Sequence, residues 1–332
     1  MIHAREWEVE SPSVLVPSSA SVVWRVAVWG LVLAPAVLLS PLLLLGGPFA
    51  EAWWRHALWA VQACGPVMTK LGQWAACRPD LFPRTACRRL EGLQRRARTH
   101  SWHASVAAVG ALGEEIEIER APVGSGVAAQ VHRGRFRGRA VAVKVVHPGF
   151  KSALETDLRA LEALAGILQP WARWPDPKGA VEQFGDSLRR SASMRLEANA
   201  LHRLRANAAP GIVVPRPILA DEDVLVESFE PGEPLSRILD DVDSLSTSAR
   251  RHVARRGLRC LLKMLFLDNL AHGDMHAGNL LIRPTGDLDE GDFDLVLLDA
   301  GLVVELNNRD HRNFLDLFSA VPRMRRPRRL CF

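Results

Sequence analysis

The chain has 332 residues, 48% hydrophobic and 24% charged, enough apolar content for a buried core and too much for a disordered protein. Its formal net charge of +5 does not mark a nucleic-acid binder, because Arg323, Arg325, Arg326, Arg328 and Arg329 crowd the extreme end and the balance without them is zero. The five cysteines (Cys64, Cys77, Cys87, Cys260 and Cys331) are odd in number and lack C-x-x-C spacing, which reads as reduced thiols and excludes a disulfide scaffold or a zinc finger.

Residues 1–21 form an N-terminal segment in which Glu6, Glu8 and Glu10 stand where a signal peptide would be positive. From Val26 to Ala50 there is no charge, and at about 1.5 Å per residue the run can cross the hydrocarbon layer. It predicts a transmembrane helix over 22–50, kinked at Pro35 and Pro41, with Trp24, Trp29, Trp53 and Trp54 near its ends. A buried core helix is the competing reading.

Residues 51–114 predict a helical extension interrupted at Pro66, Pro79 and Pro83. The basic cluster from Arg88 to Arg98 reads as a solvated helix face, with lipid headgroups as an alternative partner. From Glu115 the residues alternate in period two between glycines, predicting a small antiparallel sheet. Helices return from Ser152 to Ala209 around an irregular Pro/Trp stretch at Gln169–Gly179. A strand pair (Ile212–Leu219, Val224–Phe229), a long helix (Thr247–Leu270) and strands around Leu280 and Leu295 follow.

Gly124-Ser125-Gly126 with Val131 fits a glycine loop of the G-x-G-x-x-G-x-V kind, with Ala129 in the third glycine's place; such loops bring backbone N–H groups close to phosphate. By itself the match is weak, since a hairpin turn in any small sheet looks alike. Val141-Ala142-Val143-Lys144 then sets a lysine in an apolar strand, as needed to aim an ammonium at nucleotide phosphates; an edge-strand lysine reaching water is the plainer alternative. His272-Gly-Asp274-Met-His276-Ala-Gly-Asn279, followed by Asp299-Ala-Gly301, supplies the oxygens that magnesium on phosphates requires. Here Asp274 orients or deprotonates an acceptor, Asn279 and Asp299 hold metal, and His272 braces the loop. A hydrolase using His272, Asp274 and His276 as transition-metal ligands would leave Lys144 and Asp299 idle. The strand with Glu227 and Phe229 falls where adenine would be held. Sheet first and helices after is the order of an α+β, bilobal kinase-like fold, with an N-lobe at 115–230, a partial C-lobe at 231–321, a basic tail at 322–332, and ATP and Mg2+ as cofactors.

These residues resemble the UbiB family, also called aarF-domain-containing or ABC-one atypical kinases, and most of all its aarF-domain-containing protein kinase two branch. Lys70-Leu-Gly72-Gln73 matches the family's K-x-G-Q helix motif, the run Arg78–Pro83 continues it, and the His272–Asn279 block fits H-x-D-x-H-P-G-N with Ala277 for proline. The resemblance implies a kinase-like fold whose K-x-G-Q helix covers the substrate pocket, and lipid-coupled ATP hydrolysis or small-molecule phosphorylation. It also implies an inner mitochondrial membrane location, a role in coenzyme Q synthesis with a membrane lipid, a quinone precursor or a biosynthetic complex as partner, and pairing of Lys144 with Glu197. Glu155 and Glu182 compete for that lysine. Two positions where the family has an E-x-D pair hold Ser191 and Ser193, and few residues follow Asp299, so the C-lobe is expected to be truncated and weakly stable. A catalytically idle scaffold and a soluble-metabolite kinase of the aminoglycoside or choline kinase type are the alternatives.

Overall fold

The computed structural model describes residues 16–95, 99–171, 176–241 and 245–324. Most of the N-terminal segment with its glutamates, the centre of the Pro/Trp stretch, and the tail from residue 325 with Cys331 lie outside the described residues. Cys64, Cys77, Cys87 and Cys260 form no disulfide. The described residues fall into two compact units, one with residues up to 196 plus 217–229, the other with 197–216 and everything from 230 onward.

In the first unit the apolar run does not form one helix. α1 (Ser19–Leu38) starts on Ser18, whose Oγ accepts from the Ser21 amide, and passes Pro35 unbroken. The chain turns at residues 39–41, makes the four-residue α2 (Leu42–Leu45), and restarts as α3 (Gly47–Ala63) through Gly46 and Gly47, both at positive φ. Pro41 has no amide hydrogen to continue the first helix, so the expected 22–50 span is shortened and broken near its end. Ser19–Leu45 is the one stretch among the described residues long and apolar enough to cross a membrane.

α1 has two faces. Val23, Trp24, Leu31, Val37 and Leu38 are exposed, whereas Trp29 is buried against Cys64 and Ala160, with Leu33, Met68 and Leu161 packed around them. The indole N–H groups of Trp29 and Trp53 donate to the carbonyls of Cys64 and Ala36, at 2.6 and 2.8 Å. α4 (Pro66–Ala76), α5 (Arg84–Leu90), α6 (Gly92–Arg95) and α7 (Trp102–Gly110) complete the helical extension. Asp157, fully buried on α8 (Phe150–Leu168), pairs with Arg25 of α1 and accepts from the Val67 amide of α4 at 3.3 Å. Gly65 holds φ +103° there, and a Cβ would stand 2.5 Å from both Arg25 and Asp157. α9 (Pro177–Ser191) follows α8.

The sheet of this unit starts with β1 (Ile116–Ser125), β2 (Ala129–Phe136) and β3 (Arg139–Val146), as the alternation predicts. Val141, Val143 and Val145 point into a core with Phe136, Val109, Val224 and Val226. The second unit begins inside α10 (Met194–Ala206). The strand expected over 212–219 divides: β4 (Ile212–Val213) pairs in parallel within the second unit, while β5 (Pro217–Ala220) and β6 (Val224–Ser228) join the first sheet in the order β1-β2-β3-β6-β5. Pro215 between the two pieces cannot donate to a ladder.

β7 (Glu233–Pro234), β9 (Leu280–Pro284) and β10 (Phe293–Leu297) build the second unit's sheet with β4 at its edge, in the order β4-β10-β9-β7, and β8 (Ala271–His272) pairs with β11 (Val303–Val304). α11 (Leu235–Asp240) and α12 (Thr247–Lys263) lie between β7 and β8; the helix expected to reach Leu270 ends as a π-turn at Met264–Asp268, closed by Asn269 at φ 48°. α13 (Asn308–Met324) stacks Phe314 and Phe318 on Phe266.

Candidate active site

The glycine loop is the turn between β1 and β2. Gly124 and Ser125 end β1, and neither Gly124 nor Gly126 has positive φ, so left-handed backbone is not why glycine stands there. A Cβ on Gly124 would meet nothing within 4 Å, which leaves that flank open to a ligand. The Gly126 amide is spent on the Ala129 carbonyl at 2.8 Å and is not a phosphate donor in this arrangement. Val131 sits opposite Lys144 in the β2–β3 ladder.

With the valines of β3 turned into the core, Ala142 and Lys144 share the other face. Lys144 is nonetheless buried, and its Nζ lies 3.5 Å from Glu227 Oε1 on β6. The register explains it: Lys144 is opposite Leu225, and Glu227 lies two residues along the same face. Sequence reading places Glu227 at the adenine strand and misses this pairing; the period-two spacing on neighbouring strands is the signal that carries it. Phe229 extends the ladder by donating its amide to Ala140 O at 3.4 Å, and the Arg133 guanidinium stacks over its ring. Of the other glutamates considered for Lys144, Glu155 is bound by Arg189 at 2.8 and 3.0 Å, and Glu182 is exposed.

In the second unit the loop after β8 is bound tightly to itself. The Gly273 amide donates to Leu302 O at 2.8 Å, and a Cβ at Gly273 would crowd the Leu302 side chain at the same distance. His272 is buried, and its Nδ1 accepts from the Asp274 amide at 3.1 Å. Burial pushes the imidazole pKa down, against the pull of the Asp299 and Asp274 carboxylates. Asn279 donates its Nδ2 to Asp274 O at 3.1 Å. Asp299 Oδ1 accepts from the Gly301 amide at 2.7 Å, and Glu197, also buried, accepts from the Ala300 amide at 3.5 Å. Glu197, His272, Asp274, Asn279 and Asp299 therefore gather in one unit, and the glycine loop, Lys144 and Glu227 in the other.

Hard oxygen donors from one amide and one carboxylate suit Mg2+ that keeps water and phosphate as its other ligands. The transition-metal alternative loses ground: His272 and His276 each use Nδ1 to accept a backbone amide, and the described residues hold no group of three His, Cys, Asp or Glu able to bind a metal.

The K-x-G-Q helix is α4. Gly72 lets it touch α6, since a Cβ there would lie 2.5 Å from Leu93, and Gln73 donates to Leu93 O at 3.1 Å. Two of the motif's residues thus bind the helical extension to itself. Ser191 and Ser193, in the E-x-D positions, serve the chain locally: Ser191 Oγ donates to Leu188 O, and Ser193 Oγ donates to Glu222 and accepts from the Leu196 amide at the start of α10.

A lysine buried on an antiparallel sheet, and an acid and an amide on loops of a second unit, are residue types that a kinase-like protein uses. Residues 112–326 match the ABC1 atypical kinase-like domain. The chain is 32% identical to a probable serine/threonine-protein kinase, abkC, of Dictyostelium discoideum, over 79% of this chain and 40% of that protein. It is 28% identical to a mitochondrial ABC1 family protein of Schizosaccharomyces pombe (81% and 50% covered) and 29% identical to a probable protein kinase UbiB of Aliivibrio salmonicida (79% and 51%). The protein belongs to the UbiB/aarF family of ABC1 atypical kinases. It spans about half the length of these curated relatives.

Proposed function

We propose that the chain binds ATP with Mg2+ and works as a membrane-associated atypical kinase or ATPase in the metabolism of quinone lipids at the inner mitochondrial membrane. The observation that carries the reading is Lys144, an ammonium held in a buried strand position and electrically balanced by Glu227, a costly arrangement that a phosphate ligand would use. Asn279 and Asp299 would hold the cation, and Asp274 would orient the acceptor. Magnesium would neutralise the phosphate charge that develops during transfer. The bare face of α1 supports membrane association, and the named location of the fission yeast relative supports mitochondria.

The test is Mg2+-dependent ATP turnover with and without anionic liposomes carrying a quinone-precursor mimic. Turnover that rises with liposomes and vanishes in Asp299→Asn is expected; nucleotide binding without turnover under every condition would favour a scaffold. The local use of Ser191 and Ser193, and of Gly72 and Gln73, favours that second reading, because none of the four is left to a regulatory role by its described contacts.

A further inference from the structure

β1 loses register with β2 twice, between Ile118 and Pro122 and between Pro122 and Gly124. Such irregularities leave main-chain carbonyls outside the ladder, and a carbonyl can only accept. His132 Nδ1 meets one of them, 2.8 Å from Glu119 O, and His147 Nε2 meets a loop carbonyl past the end of β1, 3.0 Å from Gly126 O. Each of these nitrogens must therefore carry a hydrogen, and in a neutral ring the other nitrogen is an acceptor.

The remaining protons follow in turn. His147 Nδ1 lies 2.7 Å from His100 Nδ1, so His100 donates there and accepts at Nε2, which the Ser105 hydroxyl reaches at 2.8 Å. Gln130 Oε1 accepts from the His100 amide at 2.9 Å, which fixes its amide orientation. Its Nε2 then donates to Ser105 Oγ at 3.1 Å and His132 Nε2 at 2.9 Å, and because Ser105 Oγ is also 2.9 Å from that His132 nitrogen, its single hydroxyl proton can serve either His100 or His132 without changing the tautomer of either. Ser105, Gln130 and His132 are fully buried, which excludes Ser105 as a nucleophile. Just past the Lys144 strand, the His147 amide also donates to Ala128 O at 2.9 Å, so this residue grips the loop by main chain and side chain together.

We infer that His100, Ser105, Gln130, His132 and His147 form one proton-ordered chain that fixes the backbone of the glycine loop, with His147 as the positioning residue for Gly126. Burial, helped by the charged forms of His147 and His132, holds His100 down to about 4, and burial lowers His147 as well. His100 and His147 are neutral at neutral pH. A proton added to His147 goes to Nδ1 and sets two N–H donors against each other across the 2.7 Å contact, whereas one added to His100 goes to Nε2, facing Ser105. That the loop meets nucleotide phosphate rests on the function proposed above; the proton order does not.

Long-range 15N–1H spectra of the full chain with labelled histidine, at pH 7, read the order directly. We expect Nε2–H at His147 and Nδ1–H at His100 and His132; the opposite tautomer at His147 or His100 overturns the chain. Ser105→Ala removes a hydroxyl that sets neither tautomer, so Nε2–H at His147 and Nδ1–H at His100 should persist, and a flip of either overturns the chain. In MgATP titrations His147→Phe should bind about tenfold more weakly, the loss of roughly one charge-free hydrogen bond, and His147→Gln should recover part of it by donating to the carbonyl. The parent's affinity should fall, as pH drops below the ordinary imidazole range, by more than that of His147→Phe. Equal affinities of parent and His147→Phe overturn the positioning role. A parent that binds no MgATP instead removes the proposed function and leaves the tautomers to decide the chain.

Discussion

Lys144 and Glu227 form a buried ion pair across β3 and β6, with side chains 10% and 3% exposed. Taking Glu227 away removes a carboxylate beside an ammonium that is nearly withdrawn from water. Glu227→Gln is expected to destabilise the folded chain by about 3 kcal/mol in denaturant titrations. A loss below about 1 kcal/mol would mean that the lysine is satisfied without this glutamate.

Asp157 gives the helical extension a pH dependence whose sign runs opposite to that of an ordinary paired carboxylate. Burial raises its pKa to about 6 in spite of Arg25 and the Val67 amide, while the unfolded chain keeps the usual value of about 3.9. The folded state binds more protons between these values, so the stabilising contribution is complete below about pH 4 and is lost as pH rises through about 6. Asp157→Asn removes this slope and retains an acceptor for Val67. Unfolding free energies of parent and variant should converge near pH 4, with the variant gaining on the parent up to pH 7; parallel curves would contradict the account.

Gly65 makes room for the same latch. Gly65→Ala combines a strained positive φ with a Cβ in contact with Arg25 and Asp157, a cost of about 2 kcal/mol or more. Hydrogen exchange should show α1 and the start of α4 losing protection together, with the β1–β3 sheet unchanged.

The exposed stripe of α1 should carry membrane attachment. Leu31→Asp with Leu38→Asp places two charges on the bare face without touching Trp29 or Arg25. In flotation assays with anionic liposomes the double variant should stay with the soluble fraction, and undiminished flotation would assign attachment to another surface.

Much of this was legible in the residues. The valines of β3 alternate toward the core, so Lys144 could be placed on the opposite face, and the apolar run at the N-terminus announces its length. The residues His272 to Asn279 fall in a loop whose short-range hydrogen bonds need only local sequence. What pattern reading missed depends on chain reversal. Pro215 splits the expected strand at 212–219 between two sheets, and Glu227 meets Lys144 through a strand register that no linear spacing states. Likewise Arg25 and Asp157 are far apart in sequence, so the docking of α1 through a buried pair has no local signature, and the apolar composition of the helix points only to lipid.

MgATP titration by calorimetry, on the full chain and on Lys144→Ala and Asp299→Asn, tests the central claim most directly. The account predicts saturable binding by the parent, weakened at least about tenfold by Lys144→Ala, and in Asp299→Asn a loss of the magnesium dependence while the Gly301 amide keeps an acceptor and the fold survives. Parent-like, magnesium-dependent affinity in both variants would contradict it.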